Sequence, residues 1–370
     1  MPRNDPLDLS ALRSALADRN HPWQMGATTM TALHEDERET RLGVPLPEGV
    51  DLDALESDLP DRTLAVRAAT AQSVGAPASF DARDVAGANY DAGGVRDQGG
   101  CGSCVAFGTA GAMEVVYRYT RRMTTGVDLS EAHLFYVYGR SDGALCSSGW
   151  WPERAFTFAQ QSGVTFEDYY PYSAGDQDGS AINADWPNRI AKPTAFEMIT
   201  GDAAKMKAYI STYGATTACL YVYQDFFSYR SGVYSHVTGD LAGGHCVTLI
   251  GYDDAGGYWI GRNSWGSGWG DGGYFKIAYG QCHIEDYQNV GLSGVSLRAW
   301  LPDQQVVGLW SNEADGNVWA YGSARGWLKL DSGNVATNAV MLAELAASKS
   351  LGRPVGLFED NGSVQQMYAW

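Results

Sequence analysis

Residues 98–107 read Gln98-Gly99-Gly100-Cys101-Gly102-Ser103-Cys104-Val105-Ala106-Phe107, and this stretch decides the fold. Its glycines lead into a proline-free apolar run over residues 105–119, where Ala106, Met113 and Val116 suit a buried helix. Cys104 therefore stands where a glycine-rich loop enters a helix. The partial positive charge of a helix N-terminus stabilises an anion, so it lowers a thiol pKa and favours the nucleophilic thiolate. Two other stretches belong with this one: Gly243-Gly244-His245-Cys246-Val247 and Arg262-Asn263-Ser264-Trp265-Gly266-Ser267-Gly268-Trp269-Gly270. His245 opens a strand, and its imidazole can hold the proton that a thiol gives up. The side-chain carbonyl of Asn263 can orient that imidazole. Gln98, six residues before Cys104, can give its amide N–H to a developing oxyanion together with the Cys104 backbone N–H. Each residue alone has a plainer reading: a buried inert thiol, a satisfied core histidine, a turn asparagine, a solvated loop glutamine. It is the four together, in this order, that point to chemistry.

On these residues the sequence resembles the papain-like cysteine peptidases, whose order is Gln, Cys, His, Asn. Cys104 and His245 are 141 residues apart, and Cys104 and Asn263 are 159 apart. The Asn263-Ser264-Trp265-Gly266 run followed by Gly273-Tyr274-Phe275-Lys276-Ile277 is also the family's pattern, and Ser79-Phe80-Asp81-Ala82-Arg83 resembles a mature start. The resemblance covers residues 78–296. It implies an α+β fold of two subdomains, a helical half and a β-barrel-like half, with the active site in the cleft between them. It also implies a thioester mechanism with Cys104, His245, Asn263 and Gln98 as catalytic residues and Trp265 shielding the His245–Asn263 contact.

Further assignments follow from the resemblance. Cys101 and Cys146 match the family's disulfide beside the active site. Gly149, Trp151, Pro152, Ala218, Gly244, Cys246, Trp269 and Tyr287 are the expected substrate-binding residues, with Cys246, Ala218, Trp151 and Pro152 walling the P2 subsite and Tyr287 at its base. Cys219, Cys246 and Cys282 have no family partner and read as small buried hydrophobes. Two departures stand out. Val105 replaces the Trp or Tyr usual behind the nucleophile, and the segment Cys146-Ser147-Ser148-Gly149-Trp150-Trp151-Pro152 is one residue longer than the family's and has one glycine fewer. No metal or other cofactor is expected, because the Cys and His spacings match no zinc pattern.

The flanks read differently. Residues 1–77 hold too few large apolar residues to form a core of their own. Leu7, Leu9, Leu12, Leu16 and Ala17 fall at helical spacing, a second helix is predicted over residues 35–42, and the stretch from Val44 through the acidic run at residues 51–61 reads as an extended linker. Trp23-Gln24-Met25-Gly26, Glu35-Asp36-Glu37-Arg38-Glu39 and Leu42-Gly43 resemble the family's pro-segments, which lie in the substrate cleft in the reverse direction and block it. The protein's own pro-segment is thus its first expected partner, released by a cut within residues 46–77, and protein or peptide substrates are the second. Residues 297–370 read as a small α+β module with strands at 306–310, 318–321, 355–358 and 364–370, a helix at 336–349, and hairpin signals at Asp315-Gly316 and Asn361-Gly362. Its aromatic residues, Trp310, Trp319, Tyr321, Trp327, Phe358, Tyr368 and Trp370, read first as the core of a small barrel and second as a glycan- or protein-binding face.

Composition narrows the class. The chain has 370 residues and a net charge of −17, unsuited to nucleic acid or anionic membrane surfaces. It has no apolar run long enough for a membrane span. The start Met1-Pro2-Arg3-Asn4-Asp5-Pro6 shows no secretion signal, yet a Cys101–Cys146 bridge favours an oxidising compartment, so delivery outside the cytosol is expected. Two other functions compete with peptide hydrolysis: amide or acyl transfer at the same Cys-His-Asn site, and an inactive peptidase domain whose C-terminal module does the work.

Overall fold

The structure is a computed structural model that describes residues 7, 9–19, 23–47, 59–73, 75–124, 126–314, 316–323 and 326–370. Its helices are α1 (Leu9–Asp18), α2 (Glu35–Glu39), α3 (Leu59–Ala71), α4 (Cys104–Arg121), α5 (Pro152–Ser162), α6 (Ala203–Tyr213) and α7 (Val335–Leu351), with a π-helical segment at His133–Gly139. The apolar run after Cys104 forms α4 as predicted. Residues 104 to 119 are all buried, so the helix is enclosed on every side. Arg122 ends it in the left-handed conformation, its N–H turned back to the Arg118 and Tyr119 carbonyls.

Opposite the helices lie β5 (Thr216–Tyr223), β7 (Leu241–Asp253), β8 (Tyr258–Arg262) and β9 (Tyr274–Ala278), antiparallel neighbours in that order. Every residue of β5 is buried, which accounts for its unbroken apolar and small-residue composition instead of an alternating pattern. The sheet runs as one open path rather than a closed barrel. Its central member is β10 (Asn289–Gln304). The first part of β10 pairs with β4 (Ile190–Met198) and β5, and the last part with β14 (Val355–Asp360). The predicted boundary at residues 296/297 therefore falls inside a continuous strand, and the C-terminal module extends the peptidase sheet.

That module keeps its own core of Leu301, Leu328, Leu330, Met341, Leu345, Val355, Leu357 and Val364. Asn334 caps α7 by accepting the Ala336 and Thr337 N–H groups, and Gly352 closes it with φ +62°. Asn361 and Gly362 both have positive φ (51° and 86°), as a tight hairpin turn requires; Asp315 lies outside the described residues. Beyond the predicted strands, Gly326–Leu330 forms β13, parallel to β15 (Ser363–Ala369). The barrel-core reading fails for most of the aromatics: the module core is aliphatic and Trp310, Tyr321, Trp327, Tyr368 and Trp370 are exposed, while Trp319 is half-buried and Phe358 alone of the seven is buried. Ala320, Leu328 and Leu330 take the buried side of their strands, and strand alternation turns Tyr321 and Trp327 outward.

Among the described residues the N-terminal segment forms no core of its own and borrows that of the main domain. Leu12, Leu16, Trp23 and Met30 join the main cluster, and β1 (Trp23–Met25) adds to the sheet against β6 (Tyr229–Tyr234). The helix predicted over residues 35–42 is shorter, ending at Glu39. The linker reading fails at its end, where residues 59–71 form α3. Its Val66 is buried and its Thr70 carbonyl accepts from the buried Lys207 ammonium. No helix among the described residues is long and apolar enough to cross a membrane.

Candidate functional site

Three backbone segments converge at the N-terminus of α4. The loop before it is fixed by Gln98 N–H to the Ser264 carbonyl (2.9 Å), Gly102 N–H to the Cys146 carbonyl (2.9 Å) and the Cys101–Cys146 disulfide. The bridge spans 45 residues. Replacing both cysteines by serine is expected to cost about 4 kcal/mol by loop-entropy reasoning, read as a lower urea midpoint. The other four cysteines are free and buried.

His245 lies on β7 directly opposite Leu220 of β5. Its Nε2 is 2.7 Å from Asn263 Oδ1, which also accepts the Ser264 N–H at 2.7 Å. An amide oxygen only accepts, so Nε2 carries the proton and Nδ1 is left as the basic nitrogen. Nδ1 has no hydrogen-bond partner among the described residues. The Trp265 ring lies 4.6 Å from the imidazole, centroid to centroid, and is fully buried, a geometry that suits the expected shielding of the His245–Asn263 contact. Trp265→Ala is expected to destabilise the fold by about 3–5 kcal/mol and to lower turnover beyond that, read by thermal melting alongside activity.

Gln98 is the best fixed of the four. Its Oε1 accepts from Ser264 Oγ (2.6 Å), which turns Nε2 toward the cleft. Ser264 is thus a functional residue that reading the sequence alone missed, although it stands in the quoted Asn-Ser-Trp run. Nε2 donates to the Arg41 carbonyl (2.9 Å) and the Cys101 carbonyl (2.8 Å).

The Arg41 contact introduces what covers the site. Residues 41–45 cross directly over Cys104. Val44 N–H donates to the Gly244 carbonyl (3.1 Å), Trp150 N–H to the Gly43 carbonyl (2.9 Å), and Tyr287 Oη to the Pro45 carbonyl (2.6 Å). Arg41 pairs with Asp97 at 2.8 Å. The crossing depends on glycines: a methyl group built on Gly43 would lie 1.9 Å from the Gly102 carbonyl oxygen, and one on Gly149 2.1 Å from the Gly43 oxygen. Gly149 also has φ +70°. The lengthened 146–152 segment therefore still presents one close-approach glycine and one backbone donor, but the donor is Trp150. The Trp150 side chain turns away to Asp142.

Burial sets the electrostatics. The Cys104 thiol is raised well above its ordinary range, first by burial and then by Cys246 beside it, against the opposing effect of the Cys246, Gly43 and Val105 amides. The low thiol pKa read from the helix N-terminus is thus absent in this covered state: removing water from the sulfur outweighs the helix field. His245 is pushed down to about 4, again by burial, despite the Asn263 bond and the Arg41 carbonyl, which favour its charged form. Burial thus favours the neutral form of both the Cys104 thiol and the His245 imidazole in the covered state.

Other expected residues fall as follows. Tyr287 stacks on Tyr221 and crowds Gly244, close to Cys104, Cys219 and Cys246. The Cys246 thiol lies against Gly108 of α4 and contacts Cys219. Ala218 is buried on β5, Trp151 is half-buried, and Pro152 begins α5. Val105 is fully buried. Trp269 differs from expectation: it is fully buried, donates its indole N–H to the Phe226 carbonyl, and packs edge-on against Trp265. It backs the shielding tryptophan instead of facing the cleft.

Comparison with known proteins agrees with this geometry. The sequence profile of the papain family of cysteine proteases matches residues 76–292. A cathepsin B-like CP2 of Giardia intestinalis is 32% identical over 213 residues, covering 53% of this chain and 68% of that protein. A cathepsin B-like CP3 of the same organism is 34% identical over 236 residues, 60% of this chain and 76% of that protein. Among solved structures, procathepsin B S9 from Trypanosoma congolense superposes with a TM-score of 0.62 at 22% identity, covering 78% of this chain and 99% of that one. Digestive procathepsin L 3 of the Tenebrio molitor larval midgut gives a TM-score of 0.58 at 24% identity, covering 76% of this chain and 87% of that one. At these identities the two structures speak to the fold alone.

Proposed function

Because the chain belongs to the papain family of cysteine proteases, we propose that it hydrolyses peptide bonds through a Cys104 thioester and is made as a latent precursor. In this reading residues 1–77 are its own inhibitor, residues 78–296 the peptidase domain and residues 297–370 an appended module. Cys104 sulfur attacks the scissile carbonyl carbon, and the carbonyl electrons move onto oxygen. Gln98 Nε2–H and the Cys104 backbone N–H stabilise that oxyanion. His245, protonated by the thiol, returns the proton to the departing amine, leaving a thioester. Water then attacks the thioester, His245 takes its proton, and the acid product leaves as the thiol is restored. Asn263 holds the imidazole by its Nε2–H, so Asn263→Ala is expected to lower kcat about 10- to 100-fold with KM nearly unchanged, measured on matured enzyme with a fluorogenic peptide.

The observation that carries the latency is the crossing of residues 41–45. The Arg41 carbonyl already takes the Gln98 amide, and the Gly43 N–H points at the sulfur. A backbone N–H offers no electrophilic carbon, so the inhibitor sits on the nucleophile without being cut. The test is labelling by a peptidyl epoxide with peptide mapping. Label on Cys104 only after loss of the N-terminal segment supports the reading; equal labelling of the uncleaved chain removes the latency, and no label in either form removes the peptidase.

Acid favours release. With its pKa lowered to about 4 in the covered site and ordinary, near 6.5, when uncovered, His245 binds more protons in the open form below about pH 6.5. The His245 contribution to the covered form is therefore complete above about pH 6.5 and is lost as pH falls toward 4, by up to about 3 kcal/mol. Maturation of purified precursor is expected to accelerate as pH falls across that window.

For residues 297–370 the outward aromatics favour a binding role, for glycan or protein. Co-sedimentation of the full chain with insoluble polysaccharide, lost on Trp327→Ala and Trp370→Ala, would support the former.

A further inference from the structure

The two donors of the oxyanion site come from different places in the chain. One is the Gln98 side chain, and the other is the backbone N–H of Cys104. Between them lie Gly99, Gly100 and Gly102, the residues least able to hold a fixed spacing. An oxyanion site loses its advantage when its donors are not preorganised. The Cys101 carbonyl joins them in part, accepting from Gln98 Nε2 (2.8 Å) and the Ser103 N–H (2.8 Å), but it belongs to the glycine-rich loop itself, so a tie from outside that loop is also needed. The disulfide holds the middle of the loop through Cys101, and Ser264 holds Gln98 from the sheet side. Neither joins the two donors to each other.

Tyr172 does. Its hydroxyl donates to the Gln98 carbonyl at 2.8 Å and lies 2.7 Å from Ser103 Oγ. With its single proton given to Gln98, the phenol oxygen accepts from Ser103, the residue immediately before the nucleophile. One oxygen thus links Gln98, which carries one donor, to Ser103, the residue next to the other. The ring is fixed for this purpose. It meets Phe107, in the first turn of α4, edge to face at 4.8 Å, and stacks on Tyr136 at 5.6 Å. Its own N–H donates to Glu167 Oε1 at 2.6 Å.

We propose that Tyr172 is a positioning residue for the oxyanion site, setting the spacing between the Gln98 amide and the Cys104 N–H. The proposal rests on the peptidase reading above. It touches neither the proton relay nor the sulfur, so it separates oxyanion stabilisation from thiol reactivity.

The experiment uses matured enzyme as parent, Tyr172→Phe, Ser103→Ala, Gln98→Ala and the Gln98→Ala/Tyr172→Phe pair. Three quantities are measured: kcat and KM on a fluorogenic peptide, the affinity of a peptide aldehyde, whose adduct oxygen uses the oxyanion donors, and the rate of Cys104 alkylation by iodoacetamide, which needs no such donors. Tyr172→Phe is expected to lower kcat about ten-fold with KM within two-fold, to weaken the aldehyde by a similar factor, and to leave the alkylation rate and its pH profile unchanged. Ser103→Ala, which removes one anchor only, is expected to give about a three-fold loss in the same two readouts. Added to Gln98→Ala, the Tyr172→Phe change is expected to have no further effect, since the donor it positions is already gone. An unchanged kcat, a parallel fall in alkylation, or multiplicative losses in the pair would overturn the proposal. If Tyr172→Phe does not fold, Ser103→Ala decides by the same criteria. If the activated parent cleaves no peptide, the peptidase reading fails, and the aldehyde affinities still decide on Tyr172: equal affinity in parent and variant would overturn it.

Discussion

Full-length precursor carrying Gly43→Ala is expected to lose its latency, with Cys104 labelled by a peptidyl epoxide about 10- to 100-fold faster than in the parent precursor. A Cβ at this position would stand 1.9 Å from the Gly102 carbonyl oxygen, a backbone atom that the Cys101–Cys146 bridge keeps from moving aside. Overpacking of this kind costs about 1–3 kcal/mol, and the inhibitor can recover it only by lifting from the cleft. The control is internal. In the proposed maturation Gly43 leaves with the N-terminal segment, so mature enzyme from parent and variant should have the same kcat and KM. Gly149→Ala faces the same crossing from the other side, 2.1 Å from the Gly43 oxygen, and it stays in the mature enzyme. It should therefore weaken inhibitor and substrate together. Unchanged labelling of the Gly43→Ala precursor would mean that residues 41–45 do not control access to the sulfur.

Cys104→Ala is expected to abolish turnover, by at least about 10⁴-fold, because no other group near His245 can form the thioester. Cys246 adjoins the site, but its thiol is held against Gly108 and Cys219. The variant should keep its fold: Cys104 is fully buried in the main core, but removing its one sulfur leaves the helix and its loop bonds in place. Circular dichroism matching the parent with no peptide cleavage is the expected pair of results. Residual Cys104-independent cleavage after removal of contaminating proteases would sink the mechanism. The same variant also removes self-processing, so its N-terminal segment should stay uncut at pH 4–5.

Much of the site is legible in the residues themselves, because the chemistry constrains residue type and order. Cys104 after a glycine-rich loop, His245 in a strand and Asn263 beside Trp265 need those identities whatever the packing, although His245 sits inside β7 rather than opening it. The bond from His245 to Asn263 and the disulfide then follow where the resemblance places them. The helix α4 is equally legible, since a proline-free apolar run of that length has few alternatives. What escapes local reading is what depends on a distant partner. Residues 59–71 have little amphipathic pattern, and their helix is held by contacts to Lys207, Gly280 and Asp286. The aromatics of the module look like a core until the aliphatic side of each strand is seen to be taken by α7. A boundary at 296/297 is reasonable from composition, yet strand pairing carries β10 straight through it.

The amino-acid sequence by itself determined the family and, through it, the four residues proposed to carry the reaction. The tertiary structure alone decided the state in which those residues are held. A helix N-terminus predicts an acidic, reactive thiol, but the field of a helix end is worth at most about 2 kcal/mol. Removal of water by residues 41–45 outweighs it and favours the neutral forms of Cys104 and His245. That difference arises from segments about sixty residues apart meeting in space, with Gly43 against Gly102 and Arg41 on Gln98, and desolvation is a property of such meetings rather than of any one stretch of chain.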